Sequence, residues 1–265
     1  MTTRRDIKTS VIKSWQTSLG PVLAVCVWEL AARGGFIETV LLPAPSAVGA
    51  ALWKCGMEGI LWSDVASSLK RVGVGYVIGA STGFIVGIMY MNSTVRRFLR
   101  PLVELLRPIP PLAWIPLSLL WFGFGDPPAY FLVSLGAFFP VLSSTHLGFA
   151  RVEVSYVRAA RVLGLGRLRT FSSVILPQAY PAILTGLRTA MGFCWMIVVT
   201  AELVGAQSGL GYMIQISRAQ LQTDMVVGGM LVIGAIGFFL HEATVALERI
   251  LVPWRFRGRE LSTEA

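Results

Sequence analysis

Long apolar runs recur along this chain and constrain its fold more than any other feature. A bilayer core about 30 Å thick is crossed by a helix of roughly 20 apolar residues. Runs of that kind lie at 17–34, 71–91, 101–122, 128–148, 181–206 and 225–247. Composition agrees: 54% of the 265 residues are hydrophobic and 14% are charged, against about 25% charged in a soluble domain. A soluble fold built from these residues would lack the charge to keep its surface in water. The expected fold is an all-α integral membrane bundle of about six transmembrane helices.

The basic residues set its orientation. They cluster before the first run, at 96–100, at 151–169 and at 249–259. Six spans with both termini in the cytoplasm put all four clusters on one side, as the positive-inside rule requires. The net charge of +9 therefore reads as cytoplasmic flanks and not as a nucleic-acid surface. The division that follows is a cytoplasmic segment at 1–16, a transmembrane domain at 17–250 and a cytoplasmic tail at 251–265. A stretch at 35–70 separates the first two spans, with a turn at LLPAPS (41–46) and an interfacial helix ending near Arg71. No small-residue cleavage site follows the first run, which reads as a retained anchor.

Gly75, Gly79, Gly83 and Gly87 fall on one narrow face of the second span, which predicts close approach of a neighbouring helix. The third span holds Pro101, Pro108, Pro110, Pro111 and Pro116. Broken backbone at membrane depth survives only when buried in protein or lining a wet cavity, so this span is a candidate pathway or gate element. Glu104 and Arg107 stand at i, i+3 and can pair on one helix face. Arg188, Glu202, Trp114 and Trp195 join Arg107, Pro110 and Pro111 as candidate pathway or gate residues. For Glu202 the expected partner is loop backbone near 209–211. Structural ion pairing and aromatic packing are the competing roles for this set.

The longest break in the apolar pattern is 151–170. Ser155 can cap a short helix there, and Gly164 and Gly166 can end it. Such a helix either rests on the bilayer or docks into a soluble partner. Cys26, Cys55 and Cys194 form no CxxC pair, and His146 and His241 lie in different spans, so no metal site is indicated. No phosphate-binding loop or catalytic motif is present. Without a cluster of polar catalytic groups at one depth, a membrane-embedded enzyme or scaffold is the remote alternative to a transporter.

Arg158, Ala159, Ala160, Leu163, Gly164, Leu165 and Gly166, with nine residues between Gly164 and the run Val174, Ile175, Leu176 and Pro177, resemble the EAA loop of bacterial ABC-importer permeases. Arg158 stands where that pattern has Glu, and Val174 where it has Ile. The segments at 105–126, 135–142, 183–192 and 201–214 are similar to the nitrate, taurine and alkanesulfonate group, which also holds bicarbonate and pyrimidine-precursor importers. The segment at 221–240 is most like the taurine and alkanesulfonate members. The resemblance implies a type I importer in the bacterial inner membrane. Two copies of this chain, or one with a close relative, would sit over two cytoplasmic ATP-binding subunits, fed by an extracytoplasmic substrate-binding protein. It implies a coupling segment at 151–177 that docks on the ATPase, no catalysis in this chain, and ATP and Mg bound by the partner. The cargo implied is a small anion or zwitterion, taurine or another sulfonate first, nitrate or bicarbonate second.

Overall fold

The structure is a computed structural model and describes residues 20, 22–34 and 41–252. The expected segment 1–16 and nearly all of the tail at 251–265 lie outside the described residues, as does part of the expected first span. All regular elements among the described residues are helical. In chain order they are α1 (22–33), α2 (Pro45–Met57), α3 (Ile60–Met89) and α4 (Ser93–Leu106). A single 3₁₀ turn at Pro111–Trp114 leads into α5 (Ile115–Phe122), and α6 (Asp126–Ala150) and α7 (Val154–Val162) follow. After α8 (Arg167–Thr170) and a π turn at Phe171–Ile175 come α9 (Leu176–Gly205), α10 (Leu210–Ala219) and α11 (Thr223–Leu251).

Four stretches among the described residues are long and apolar enough to cross a membrane: α3, α6, the continuous Arg167–Gly205 helix and α11. A fifth crossing is formed if α4 and Pro111–Phe122, bent by 83° at the break, are one span. That bend falls inside the expected span at 101–122, where the prolines predict broken backbone. Pro108, Pro110 and Pro111 remove backbone donors in close succession, so the helix cannot continue through them.

The chain divides into two compact units, Met1–Trp62 with Met213–Val232, and Ser63–Tyr212 with Ile233–Ala265. In the first, Glu29 on α1 accepts from Ser46 N (3.0 Å) and Ser46 Oγ (2.8 Å) at the start of α2. Gly228 on α11 packs on Leu52 of α2, where a Cβ would come within 2.9 Å of the leucine side chain.

In the second unit the glycine ladder is the seam between α3 and α6. A Cβ on Gly75 would lie 2.6 Å from Val133, one on Gly83 2.5 Å from Phe138 O, and one on Gly87 2.6 Å from Thr145. Gly79 faces Ser134 O in the same way. Lipid gives no hydrophobic drive to helix association, so such close van der Waals contact carries the packing. On the other side of α6, Gly148 meets Ala179 O and Gly186 meets Ser144, which brings α9 in. Val133, Ala137, Val141, Ala179, Ala190 and Val198 form the fully buried interior.

The expected second span, 71–91, begins eleven residues early, at Ile60. Its first turns carry Asp64, Lys70 and Arg71, which argue for an end, but the protein supplies partners for all three. The expected interfacial helix ending near Arg71 is α2 instead, closed by Gly59 at φ +77°.

Candidate functional site

The break at 151–170 folds as α7, a sharp turn and α8. Ser155 does not cap α7: Glu153 is the N-cap and makes no side-chain cap bond, while Ser155 Oγ donates to the Glu153 carboxylate at 3.1 Å. Gly164 ends the helix at φ +78°. Gly164 N donates to Arg161 O and Leu165 N to Ala160 O, both at 3.0 Å, the two bonds of a Schellman turn. Gly166 does not end α7 but is the N-cap of α8. Arg158, Ala159 and Leu163 face outward, Leu165 is half-buried, and Ala160 is buried by the chain itself. The apolar surface that the turn offers is therefore Val162, Leu163 and Leu168, 87%, 78% and 81% exposed. Pro177 has no N–H to give Ser173 O, and the π turn at Phe171–Ile175 absorbs that gap as the helix enters the span. Leu176 and Pro177 thus aim the turn relative to α9.

A cleft of about 710 Å³ opens between the bend, α6 and α9. Arg107, Pro110 and Pro111 line it, with Ser143, Ser144, Phe193, Thr189 and Thr200. The threonines give their protons back to the helix, to Thr185 O at 2.9 Å and Met196 O at 3.1 Å, and present lone pairs. Arg107 offers guanidinium donors that its expected partner does not occupy: Glu104 pairs with Arg100 at 2.7 Å, since i, i+4 brings that nitrogen nearer. The hydroxyls escape sequence reading because single Ser and Thr residues carry no periodic signal.

Trp114, Arg188, Trp195 and Glu202 do not line this cleft. Trp114 stacks edge-on against Phe131, 6.3 Å between centroids. Arg188 Nη1 reaches the buried Glu248 at 2.9 Å, and Trp195 Nε1 donates to Ile233 O at 3.1 Å. Each finds a packing or pairing partner on a neighbouring helix, which satisfies a polar group that lipid or protein would otherwise strand.

Glu202 belongs to a buried polar lock at the other end of the bundle from α7. Arg71, 2% exposed, and Glu202, 1% exposed, meet at 2.8 Å. Arg71 also donates to Asp126 Oδ1 from Nε (2.8 Å) and to Ser208 O from Nη1 (2.6 Å). Ser68 Oγ and Gly211 N both donate to Glu202 Oε2 at 2.9 Å. Leu210 N donates to Ser68 Oγ (2.9 Å), and Gly209 N to Asp64 Oδ1 (2.7 Å). The free N–H groups at the start of α10 are thus taken up by α3 and α9. Gly209 is required twice: its φ is +104°, and a side chain there would collide with Glu202 and Arg71. Sequence reading places Glu202 near 209–211 but misses Asp64, Ser68 and Arg71, whose i, i+4, i+7 spacing on one helix face is the available signal.

Residues 75–257 match the family described as binding-protein-dependent transport system inner membrane component. The chain is 40% identical over 234 residues to the taurine transport system permease protein TauC of Escherichia coli (strain K12), covering 86% of this chain and 85% of that relative. It is 34% identical over 197 residues to the nitrate import permease protein NrtB of Leptolyngbya laminosa, covering 74% and 70%. In fold it is similar to the inward-facing MetNI methionine ABC transporter, at a TM-score of 0.63 and 19% identity over 74% of this chain and 98% of that one. An amino acid ABC transporter gives 0.57 at 20% identity, over 75% and 95%. With an all-helical bundle, apolar spans and a family match over more than half its length, this chain belongs to the inner membrane components of binding-protein-dependent transport systems, the ABC-importer permeases.

Proposed function

We propose that this permease carries a small anion or zwitterion, a sulfonate such as taurine in first place and nitrate or bicarbonate in second. The observation that supports this reading is the cleft. Arg107 and the Ser143 and Ser144 hydroxyls can donate to an anionic headgroup, while Thr189 and Thr200 oxygens can accept from an ammonium. The remaining lining is apolar and suits a short carbon body. Two copies of the chain, or one with a close relative, stand over two ATP-binding subunits that hold ATP and Mg, and a binding protein delivers the solute. The α7–α8 turn faces the cytoplasm and seats Val162, Leu163 and Leu168 in the ATPase; the lock faces outward, and both termini are cytoplasmic.

Uptake in vesicles reconstituted with the ATPase and binding protein tests this. Arg107→Gln lowers taurine uptake by about ten- to a hundredfold, the loss of one charge-assisted bond of about 1.5–3 kcal/mol, and leaves ATPase co-purification intact. Leu163→Asp does the reverse, releasing the ATPase from a normally inserted permease. Unchanged uptake in Arg107→Gln would remove the cleft from the pathway.

A further inference from the structure

α4 is the element whose charge and exposure the transport reading leaves unused. Fourteen residues long, it extends about 21 Å and buries no side chain completely. Its residues sort into three stripes. Val95, Leu99, Val103 and Leu106 are the least exposed, with Val95, Leu99 and Val103 turned against the rest of the chain. Phe98, Leu102 and Leu105 are apolar and exposed, Phe98 by 83%. Arg96, Arg97 and Arg100 are exposed on the third stripe beside Glu104. Arg100 is held by Glu104, whereas Arg96 and Arg97 have no carboxylate partner among the described residues.

The position of the helix follows from its neighbours. α3 ends at Met89, level with the last turns of α6, because Gly87 packs on Thr145 and Tyr90 meets the ring of His146 at 5.5 Å. Asn92 then caps α4, accepting from Thr94 N at 2.9 Å. The 83° bend sets α4 across the direction of Pro111–Phe122. As half of a vertical span, α4 would carry three exposed arginines and an exposed glutamate into hydrocarbon. Lying flat, it puts the leucine stripe in the acyl layer and the arginines at headgroup height.

We infer that α4 is an interfacial helix that binds anionic phospholipid headgroups of the cytoplasmic leaflet through Arg96, Arg97 and Arg100, with Phe98, Leu102 and Leu105 as its apolar anchor. The side of the membrane rests on the proposed orientation; the lipid contact rests on charge complementarity and on the three-stripe surface.

The test uses the full permease with its ATPase subunits in vesicles of phosphatidylcholine containing phosphatidylglycerol. Association of spin-labelled phosphatidylglycerol is compared with that of spin-labelled phosphatidylcholine. The intact complex prefers the anionic lipid several-fold, since each basic side chain at a charged surface contributes about fivefold. R96Q/R97Q/R100Q abolishes most of that preference, the triple lysine variant retains it, and Arg218→Gln in α10 leaves it unchanged. If the glutamine variant does not fold, Phe98→Trp in the intact complex is quenched by lipids brominated near the headgroup end of the chain. Equal lipid preference in the glutamine variant, or an indole in Phe98→Trp that bromine does not reach, overturns the inference. Loss of the ATPase with unchanged lipid preference would mean that a protein covers α4, which also overturns it. Release of the ATPase by Leu163→Asp reports separately on the transport reading.

Discussion

The two ends of the bundle are built on opposite principles. At the lock, Arg71, Glu202, Asp126, Ser68 and Ser208 are tied by hydrogen bonds of 2.6–2.9 Å, and Arg71 and Glu202 are removed from solvent. At the α7–α8 turn the apolar side chains Val162, Leu163 and Leu168 stand free, and the turn is held by its own backbone bonds. A buried charge needs all its partners in one geometry, so the lock has one arrangement. An exposed turn needs only its local conformation, which its own backbone bonds supply. The polar lock sits where three helices converge, and the exposed apolar side chains sit at a turn held by local bonds.

This contrast can be broken by three substitutions of decreasing expected effect. Arg71→Ala leaves Glu202 buried without its cation, a loss on the order of 3–5 kcal/mol. Detergent-solubilised protein should melt far below the wild type; an unchanged midpoint would show that the lock is not a stabilising centre. Gly164→Val forces a β-branched residue to φ +78°, a strain of roughly 1–3 kcal/mol. Because nothing lies within 4 Å of the added Cβ, the strain stays in the turn. The melting midpoint should fall slightly while ATPase co-purification falls strongly, and loss of both together would place the turn in the core. Arg158→Glu, which introduces the residue that the resembled EAA pattern has here, alters an exposed position and should change stability by no more than about 0.5 kcal/mol. A larger shift would reveal a hidden partner for Arg158.

The sequence is most legible where one physical effect dominates. Apolar length sets α6 and α11 within a few residues of their expected bounds, and the glycine ladder forecasts the α3–α6 seam. Gly164 announces its own positive φ. Legibility fails where long-range pairing overrides local cost. Arg71 reads as a helix end because an isolated arginine belongs in water, yet partners 55 and 131 residues away draw it inside. The same blindness splits Arg188 from Glu248, sixty residues on. In the cleft, Arg107, Pro110 and Pro111 are visible as unusual residues in an apolar run, whereas the hydroxyls opposite them become a group only when α6 and α9 meet. Ala160 reads as a contact residue together with Ala159, but adjacent residues on a helix point about 100° apart, and the chain itself buries Ala160 while Ala159 stays exposed.

The distances along the chain between the lock's members bear on how the protein is made. Synthesis runs from the N-terminus, so α3 emerges with Arg71 well before Asp126 and Glu202 exist. During that interval the carboxylates that hydrogen-bond the guanidinium in the finished lock, on Asp126 and Glu202, are both missing. Asp126 arrives first and offers a partial anchor. Only when the end of α9 leaves the ribosome can Arg71 be enclosed and α10 be capped. Helices made later, α9 and α10, therefore complete the enclosure of a side chain carried by an early one.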